Sequence, residues 1–143
     1  MATVVVDTNV VVAGLLTHHK DAAVARVLDG MLGAAFAYEM PMDLLAEYRE
    51  VLMRADLRKL HGLSADEIDA LLAVLVERAS VLSPPRTGAA AATAAAHPWR
   101  WLASRDDLRL VTGDRRLLES ELGARMLDPD EFVASAMGLA ALR

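Results

Sequence analysis

The stretch Val4-Val5-Val6-Asp7-Thr8-Asn9 sets three β-branched residues directly before a carboxylate. Three such residues in a row favour a strand that is buried on both faces, which is typical of a parallel sheet between helices. Ligands of open α/β folds bind beyond the carboxyl ends of the strands, so Asp7 is expected at that edge. We expect Thr8 and Asn9 to cap the next helix and to hold the Asp7 carboxylate. The simpler interpretation is a strand-to-helix turn with good capping chemistry and no further role.

Length and composition restrict the class of protein. The chain has 143 residues, which is long enough to bury one hydrophobic core without disulfides. It has no cysteine, so disulfides are excluded. We expect a single domain over residues 1–143. No apolar run approaches the length of a membrane span and no basic leader precedes the first strand, so a cytoplasmic location is expected. Fifteen basic and twenty acidic residues give a formal charge of −5, the wrong sign for bulk attraction to nucleic acid. Any contact with nucleic acid must therefore be local or assisted by a metal ion.

Hydrophobic patterns and capping residues predict an alternation of strands and helices. In the first part of the chain we predict a helix that Asp21 caps and that ends near Gly30 and Gly33, a strand over 35–38, a helix over 42–54, a helix begun by a capping box at Ser64 and Glu67, and a strand over 81–82. In the second part we predict a loose alanine-rich stretch over 89–96, a helix over 97–104, a strand over 108–112, a helix over 115–121, a strand over 124–127 and a helix begun by Asp128 and Pro129. This alternation predicts an α/β fold with a mainly parallel sheet.

Two of the predicted strands end on a carboxylate. Asp7 follows the first strand and Asp114 follows the strand over 108–112, and parallel strands present their carboxyl ends at one edge of the sheet. Glu47 lies just outside the apolar arc of the helix over 42–54, so it is the carboxylate of that helix best placed to reach this edge. Carboxylates held close together raise a pKa or need a cation between them, and oxygen ligands without cysteine suit Mg²⁺ or Mn²⁺. Such an ion activates water and stabilises charge on a phosphodiester, which points to hydrolysis of a nucleic acid backbone.

Four short motifs resemble those of a known family. They lie at residues 4–10, 44–52, 110–115 and 126–132, and they read VVVDTNV, LLAEYREVL, LVTGDR and MLDPDEF. In this order they resemble PIN domains, and in particular the toxin components of bacterial toxin–antitoxin systems. The resemblance implies a three-layer sandwich with helices on both faces of the sheet, a metal-dependent ribonuclease activity, RNA as substrate and an antitoxin protein as partner.

The same resemblance implies roles for individual residues. Asp7, Glu47 and Asp114 match the first, second and last acidic positions of the family, which makes them the expected catalytic residues and ligands of Mg²⁺ or Mn²⁺. Thr112 matches the supporting hydroxyl of the family, and Asn9 matches a residue that braces the first aspartate.

The chain departs from the family pattern at one position. The family has a further acidic residue at the start of the helix before the Thr-Gly-Asp strand, where residues 93–98 of this chain read TAAAHP. Asp106 and Asp107 lie too close to the strand to replace it, and a histidine such as His97 is more often a capping or surface group. Because the number of charged ligands sets metal affinity, two functions stay open. One is a toxin-like endoribonuclease, and the other is a catalytically weakened PIN fold that binds RNA or protein as a regulatory module.

Basic residues are weaker candidates for substrate binding. Arg115 and Arg116 flank the proposed site. A second basic cluster could steer RNA, although charge runs are usually solvated surface; it consists of Arg54, Arg58, Lys59 and His61.

Two further expectations concern the class of protein and its assembly. A phosphoacceptor domain of receiver type is a third possible function, but it needs an aspartate pair after the first strand and a lysine late in the chain, and Lys20 and Lys59 are the only lysines. The hydrophobic fraction of 55% predicts apolar helix surface beyond what one core can cover, and hence a two-fold homodimer.

Overall fold

A parallel sheet forms the centre of the structure. The computed structural model describes residues 3–82, 102, 108–121 and 123–134, and within them the strands are β1 (Thr3–Val6), β2 (Leu108–Val111) and β3 (Met126–Leu127). They pair in the order β1-β2-β3, and both pairings are parallel. On its other edge β1 forms one parallel bridge, between Val4 and Tyr38. β1 therefore has partners on both edges.

Helices cover this sheet. In the described part of the chain they are α1 (Thr8–Leu16), α2 (Ala23–Leu32), α3 (Met42–Leu52), α4 (Ala55–His61), α5 (Ala65–Leu82), α6 (Arg115–Leu118) and α7 (Pro129–Phe132), with a 3₁₀ turn at Gly123–Arg125. Val4, Val5 and Val6 are all buried, so β1 is covered on both faces, as its β-branched run predicts. The predicted fold class is confirmed: α/β, a three-layer sandwich with a mainly parallel central sheet and helices on both faces.

Two buried tyrosines tie helices to the sheet and to each other. The Tyr38 hydroxyl lies 2.6 Å from the carbonyl oxygen of Leu75 in α5 and 3.2 Å from that of Met31 in α2. The Tyr48 hydroxyl in α3 donates to the carbonyl oxygen of Val6, the last residue of β1. A buried tyrosine needs such a partner for its hydroxyl. The Tyr48 bond thus fixes α3 beside the carboxyl end of β1.

Two predicted strands differ from the structure. The strand over 35–38 is reduced to the bridge at Tyr38, because Ala34 adopts a left-handed φ of 52° just before it and Pro41 caps a helix just after it. Residues 81–82 continue α5 instead of forming a strand. The buried stripe of α5 runs on through Leu75 and Ala79 at a spacing of four residues, so the helix has a face to bury up to its last turn.

Several predicted helix ends are also wrong. The helix predicted over 42–54 ends at Leu52, and α4 follows it. Ala22 rather than Asp21 is the N-cap of α2, and no side chain caps that helix. The helix over 115–121 ends at Leu118, and the first part of the strand over 124–127 is a 3₁₀ turn.

Both predicted capping arrangements are confirmed. The Ser64 amide donates to the Glu67 carboxylate at 3.0 Å and the Glu67 amide donates to the Ser64 hydroxyl at 3.1 Å. Asp128 caps α7 in the same reciprocal way with Glu131. The alanine-rich stretch over 89–96 and the helix over 97–104 lie outside the described residues, apart from Leu102.

Gly14 marks the closest approach of α1 and α2. A Cβ atom on this residue would lie 2.6 Å from the carbonyl oxygen of Val24. We expect Gly14→Ala to lower the free energy of unfolding by about 1–3 kcal/mol, because the two helices must move apart. Gly33→Ala is the control, since a Cβ there lies 3.4 Å from the Asp29 carbonyl oxygen, an ordinary contact. Urea denaturation measures both, and equal stability of the two variants would contradict this account of the α1–α2 contact.

Candidate active site

A pocket of about 640 Å³ opens where α1 and α3 meet the carboxyl ends of β1 and β2. Its lining includes the three carboxylates that the sequence singles out, Asp7, Glu47 and Asp114. They come from three separate parts of the chain: the residue after β1, the middle of α3, and the start of α6. The parallel sheet and the packing of α3 against α1 bring them to one place.

Asp7 accepts hydrogen bonds on both carboxylate oxygens. Oδ1 accepts from the Thr8 amide at 2.8 Å, and Oδ2 accepts from the Thr112 hydroxyl at 2.8 Å and from the Asn9 side-chain amide at 3.3 Å. Asp7 is itself the N-cap of α1. The expected capping by Thr8 and Asn9 is therefore wrong, whereas the expectation that Asn9 holds the Asp7 carboxylate is met.

Thr112 joins the two strand-end aspartates. Its side chain is fully buried, and its hydroxyl donates to Asp7 while accepting from the Asp114 amide at 3.1 Å and from the Asn9 side chain at 3.3 Å. Asn9 reaches across as well, because its Oδ1 accepts from the Gly113 amide at 2.9 Å. One hydroxyl and one side-chain amide thus lock the turn after β2 onto the turn after β1.

Glu47 and Asp114 each have a hydrogen-bond donor of their own. The Thr8 hydroxyl donates to Glu47 Oε2 at 2.7 Å, which links α1 to α3. Asp114 caps α6 by accepting from the Arg116 amide at 2.9 Å. Glu47 is exposed and Asp114 is partly exposed, so both side chains face the solvent of the pocket.

The electrostatics of the pocket centre on Asp7. Burial raises the pKa of the Asp7 carboxyl above its ordinary value, and the negative charges of Glu47 and Asp114 raise it further. The hydrogen bonds from the Thr112 hydroxyl and the Thr8 amide act in the opposite direction without cancelling the rise. Ionisation of Asp7 is therefore less favourable here than in a solvated aspartate, and a bound cation would offset that difference.

The donor atoms of the pocket suit a hard divalent cation. Its described lining offers three carboxylates and neither cysteine nor histidine, which is the ligand chemistry of Mg²⁺ and Mn²⁺. In the part of the chain that the structure describes, however, no three His, Cys, Asp or Glu side chains are placed so that they could already hold one ion. Glu47 and Asp114 each use one carboxylate oxygen in the bonds described above, so the other oxygen of each remains for an ion, but a shared ion requires the side chains to move closer together.

The basic residue that lines the pocket is not one of the two that the sequence predicted to flank the site. Arg54 lines the pocket, whereas Arg115 and Arg116 are exposed on α6 and are absent from the described lining. Arg116 approaches Asp114 at 3.7 Å with its side chain 94% exposed. The sequence analysis placed Arg54 in one basic cluster with Arg58, Lys59 and His61. In the structure Arg54 differs from these three residues because it alone lines the pocket.

His61 has a structural role in the turn after α3. The Leu63 amide donates to its Nδ1 at 3.0 Å, so Nε2 carries the hydrogen and donates to the carbonyl oxygen of Leu52 at 2.9 Å. This imidazole joins the last residue of α3 to the chain beyond α4. Both ring nitrogens of His61 are therefore engaged within the fold.

Fold and site define an α/β protein in which three carboxylates line one pocket at the carboxyl edge of a parallel sheet. A family model described as PIN domain matches residues 3–116, which is most of the chain. The protein belongs to the PIN domain family, whose members are generally nucleases that use divalent metal ions. Comparison with curated proteins and with solved structures gave no match. The family match leaves the receiver-type alternative without support.

The raised pKa of Asp7 makes a prediction for stability. The folded state holds the Asp7 proton to higher pH than the unfolded chain does, so this group lowers stability as pH rises from the ordinary pKa of an aspartate through the raised pKa. We expect Asp7→Asn to be more stable than wild type at neutral pH without divalent metal. The difference should shrink as pH falls below the raised pKa, where the carboxyl is neutral.

Thermal unfolding between pH 3 and 8 in chelator tests this expectation. Asp43→Asn is the matched control, because it removes the same charge from an exposed residue in the first turn of α3 that is outside the described pocket lining. A less stable Asp7→Asn at neutral pH would show that the hydrogen bonds of Asp7 outweigh its burial and repulsion.

Proposed function

We propose that the protein is a Mg²⁺- or Mn²⁺-dependent endoribonuclease that hydrolyses RNA phosphodiester bonds. One observation carries the proposal: in a member of the PIN family, Asp7, Glu47 and Asp114 line the same pocket at the carboxyl edge of the sheet. The formal charge of −5 gives no bulk attraction for RNA, so a bound cation is part of the proposal. A polyanionic substrate needs a local positive charge to approach carboxylates in an acidic protein.

The roles of the residues follow from their contacts. Asp7, Glu47 and Asp114 would hold the cation, which when bound activates water and neutralises charge that develops on the phosphodiester. Thr112 and Asn9 orient Asp7 and keep the turn before Asp114 in place. Thr8 holds Glu47 on the pocket side of α3. Partners of this kind typically matter because loss of a hydrogen bond to a ligand weakens metal binding by about 10- to 100-fold.

A toxin role is part of the proposal. The motifs resemble those of toxin components, so we propose that an antitoxin protein covers the acidic pocket or the neighbouring helices. Self-association as a two-fold dimer likewise stays a prediction, and the exposed side chains of Met42 and Leu60 offer apolar surface for either contact. Among the described helices, none combines the length and the apolar composition of a membrane-spanning segment.

RNA cleavage by purified protein tests the nuclease proposal. We expect wild type to cut single-stranded RNA with Mg²⁺ or Mn²⁺ and to stop in chelator. Asp7→Asn should lose more than the roughly 10- to 100-fold that an outer partner of a metal site costs, because it removes a proposed ligand. Asp43→Asn, purified in the same way, should keep wild-type activity. Cleavage that persists in chelator or in Asp7→Asn would contradict the proposal.

The alternative function is a weakened PIN fold that binds RNA or protein without efficient cleavage. Two observations favour it: residues 93–98 contain no carboxylate where the family has one, and the described carboxylates are not yet placed to share an ion. The residues at 93–98 lie outside the described part of the chain.

Restoring a carboxylate distinguishes the two functions. If the chain is a weakened nuclease, Ala95→Asp or Ala96→Asp should raise both the Mn²⁺-induced shift in melting temperature and the rate of RNA cleavage, because added ligand charge tightens metal binding. If wild type cleaves and neither variant improves it, three carboxylates are sufficient. No cleavage by any folded variant would favour the binding module.

A further inference from the structure

The pocket is a groove with two unlike ends. At one end lie the three carboxylates, where α1 begins. At the other end lies Arg54, in the turn between α3 and α4. Arg54 is seven residues beyond Glu47 and lies past the end of α3, which is Leu52. Among the residues that the structure describes, Arg54 is the only cationic side chain in the lining of this groove.

The wall between the two ends is aliphatic. Val12 and Leu16 extend from α1 along the same helix face as Thr8, at a spacing of four residues, and Val51 faces them from one turn beyond Glu47 in α3. All three apolar side chains are partly exposed, so they present surface that a ligand can cover. A ligand that fills the groove therefore meets carboxylates, then apolar surface, then a guanidinium.

Arg54 is available for a ligand. Its side chain is exposed and forms no hydrogen bond or ion pair with any described residue. It occupies the N-cap position of α4 without making a capping bond. Arg49, in contrast, is engaged by Asp69 at 2.8 Å. The Arg54 guanidinium is thus free to bind a ligand in the groove that the carboxylates also line.

We propose that Arg54 is a substrate-positioning residue that binds a phosphate flanking the scissile one. This inference rests on the proposed nuclease function. An RNA strand lies along the groove with its scissile phosphate at the carboxylates, its ribose or base against Val12, Leu16 and Val51, and a neighbouring phosphate on the Arg54 guanidinium. Guanidinium and phosphate pair through two parallel charged hydrogen bonds, which fix position as well as supply affinity.

Kinetics on a short single-stranded RNA of mapped cleavage site test the proposal. Arg54→Gln should raise KM by about 10- to 100-fold, the range of a lost charged hydrogen bond, with kcat nearly unchanged. The slope of log affinity against log salt should fall by about 0.7, the value for one phosphate contact on a single strand. Arg58→Gln is the matched control, with the same charge change on an exposed residue of α4 outside the described lining.

Neutral methylphosphonate at each phosphate near the cleavage site identifies the contact. Wild type should bind less tightly when one particular flanking phosphate is neutral, and Arg54→Gln should be insensitive to that same change. An equal effect of Arg58→Gln, or equal sensitivity of Arg54→Gln to the methylphosphonate, would overturn the proposal in favour of diffuse attraction. A fall in kcat or stability without a rise in KM would also overturn it, since it indicates a structural role.

The failure of this inference and the failure of the nuclease proposal give different results. If wild type does not cleave, fluorescence anisotropy with the same RNA replaces kinetics. Binding that weakens in Arg54→Gln but not in Arg58→Gln would uphold the positioning role while the nuclease function fails. Cleavage that depends on Asp7 but not on Arg54 would uphold the nuclease and overturn the positioning role. Neither binding nor cleavage would overturn both.

Discussion

The register of β1 against β2 is the constraint on which the site depends. Val6 pairs with Val111, so the next residues, Asp7 and Thr112, emerge side by side although 105 positions separate them. The Asp7 amide also donates to the Val111 carbonyl oxygen at 2.9 Å, which extends the ladder by one bond past the strand. A shift of one residue would place Asp7 opposite a main-chain turn and remove the Thr112 hydroxyl from its carboxylate.

The position of the Asp7 carboxylate lowers the stability of the folded protein, although the proposed metal site needs the carboxylate there. Asp7 is held in a partly buried position near two other carboxylates, where burial and the two negative charges raise the pKa of its carboxyl. Burying a charge without a counter-charge costs free energy, so an apolar or amide side chain at this position would make the folded state more stable. The hydrogen bonds from Thr112, Thr8 and Asn9 keep the carboxylate oriented in spite of this cost.

The sequence predicts the site better than its surroundings. Asp7 and Asp114 are found from strand ends and Glu47 from its place beside a helical arc, because all three follow from regular periodicity. The bond from Thr8 to Glu47 is not predictable in this way, since several donors near a helix start compete for the same carboxylate. Helix α4 is missed because it buries no residue and so carries no apolar period, and for the same reason the sequence does not separate Arg54 from the other basic residues near it.

The His61 imidazole has a consequence for how the groove meets a ligand. The imidazole bonds to the Leu52 carbonyl oxygen and to the Leu63 amide. It thereby joins the two ends of the segment 52–63, which contains Arg54 and α4, into a closed loop. The conformational entropy of that loop is lost when the chain folds rather than when a ligand binds. Only the rotamers of the Arg54 side chain are left to be ordered, at roughly 0.5–1.5 kcal/mol for a side chain of this length. The groove is thus pre-organised at its basic end.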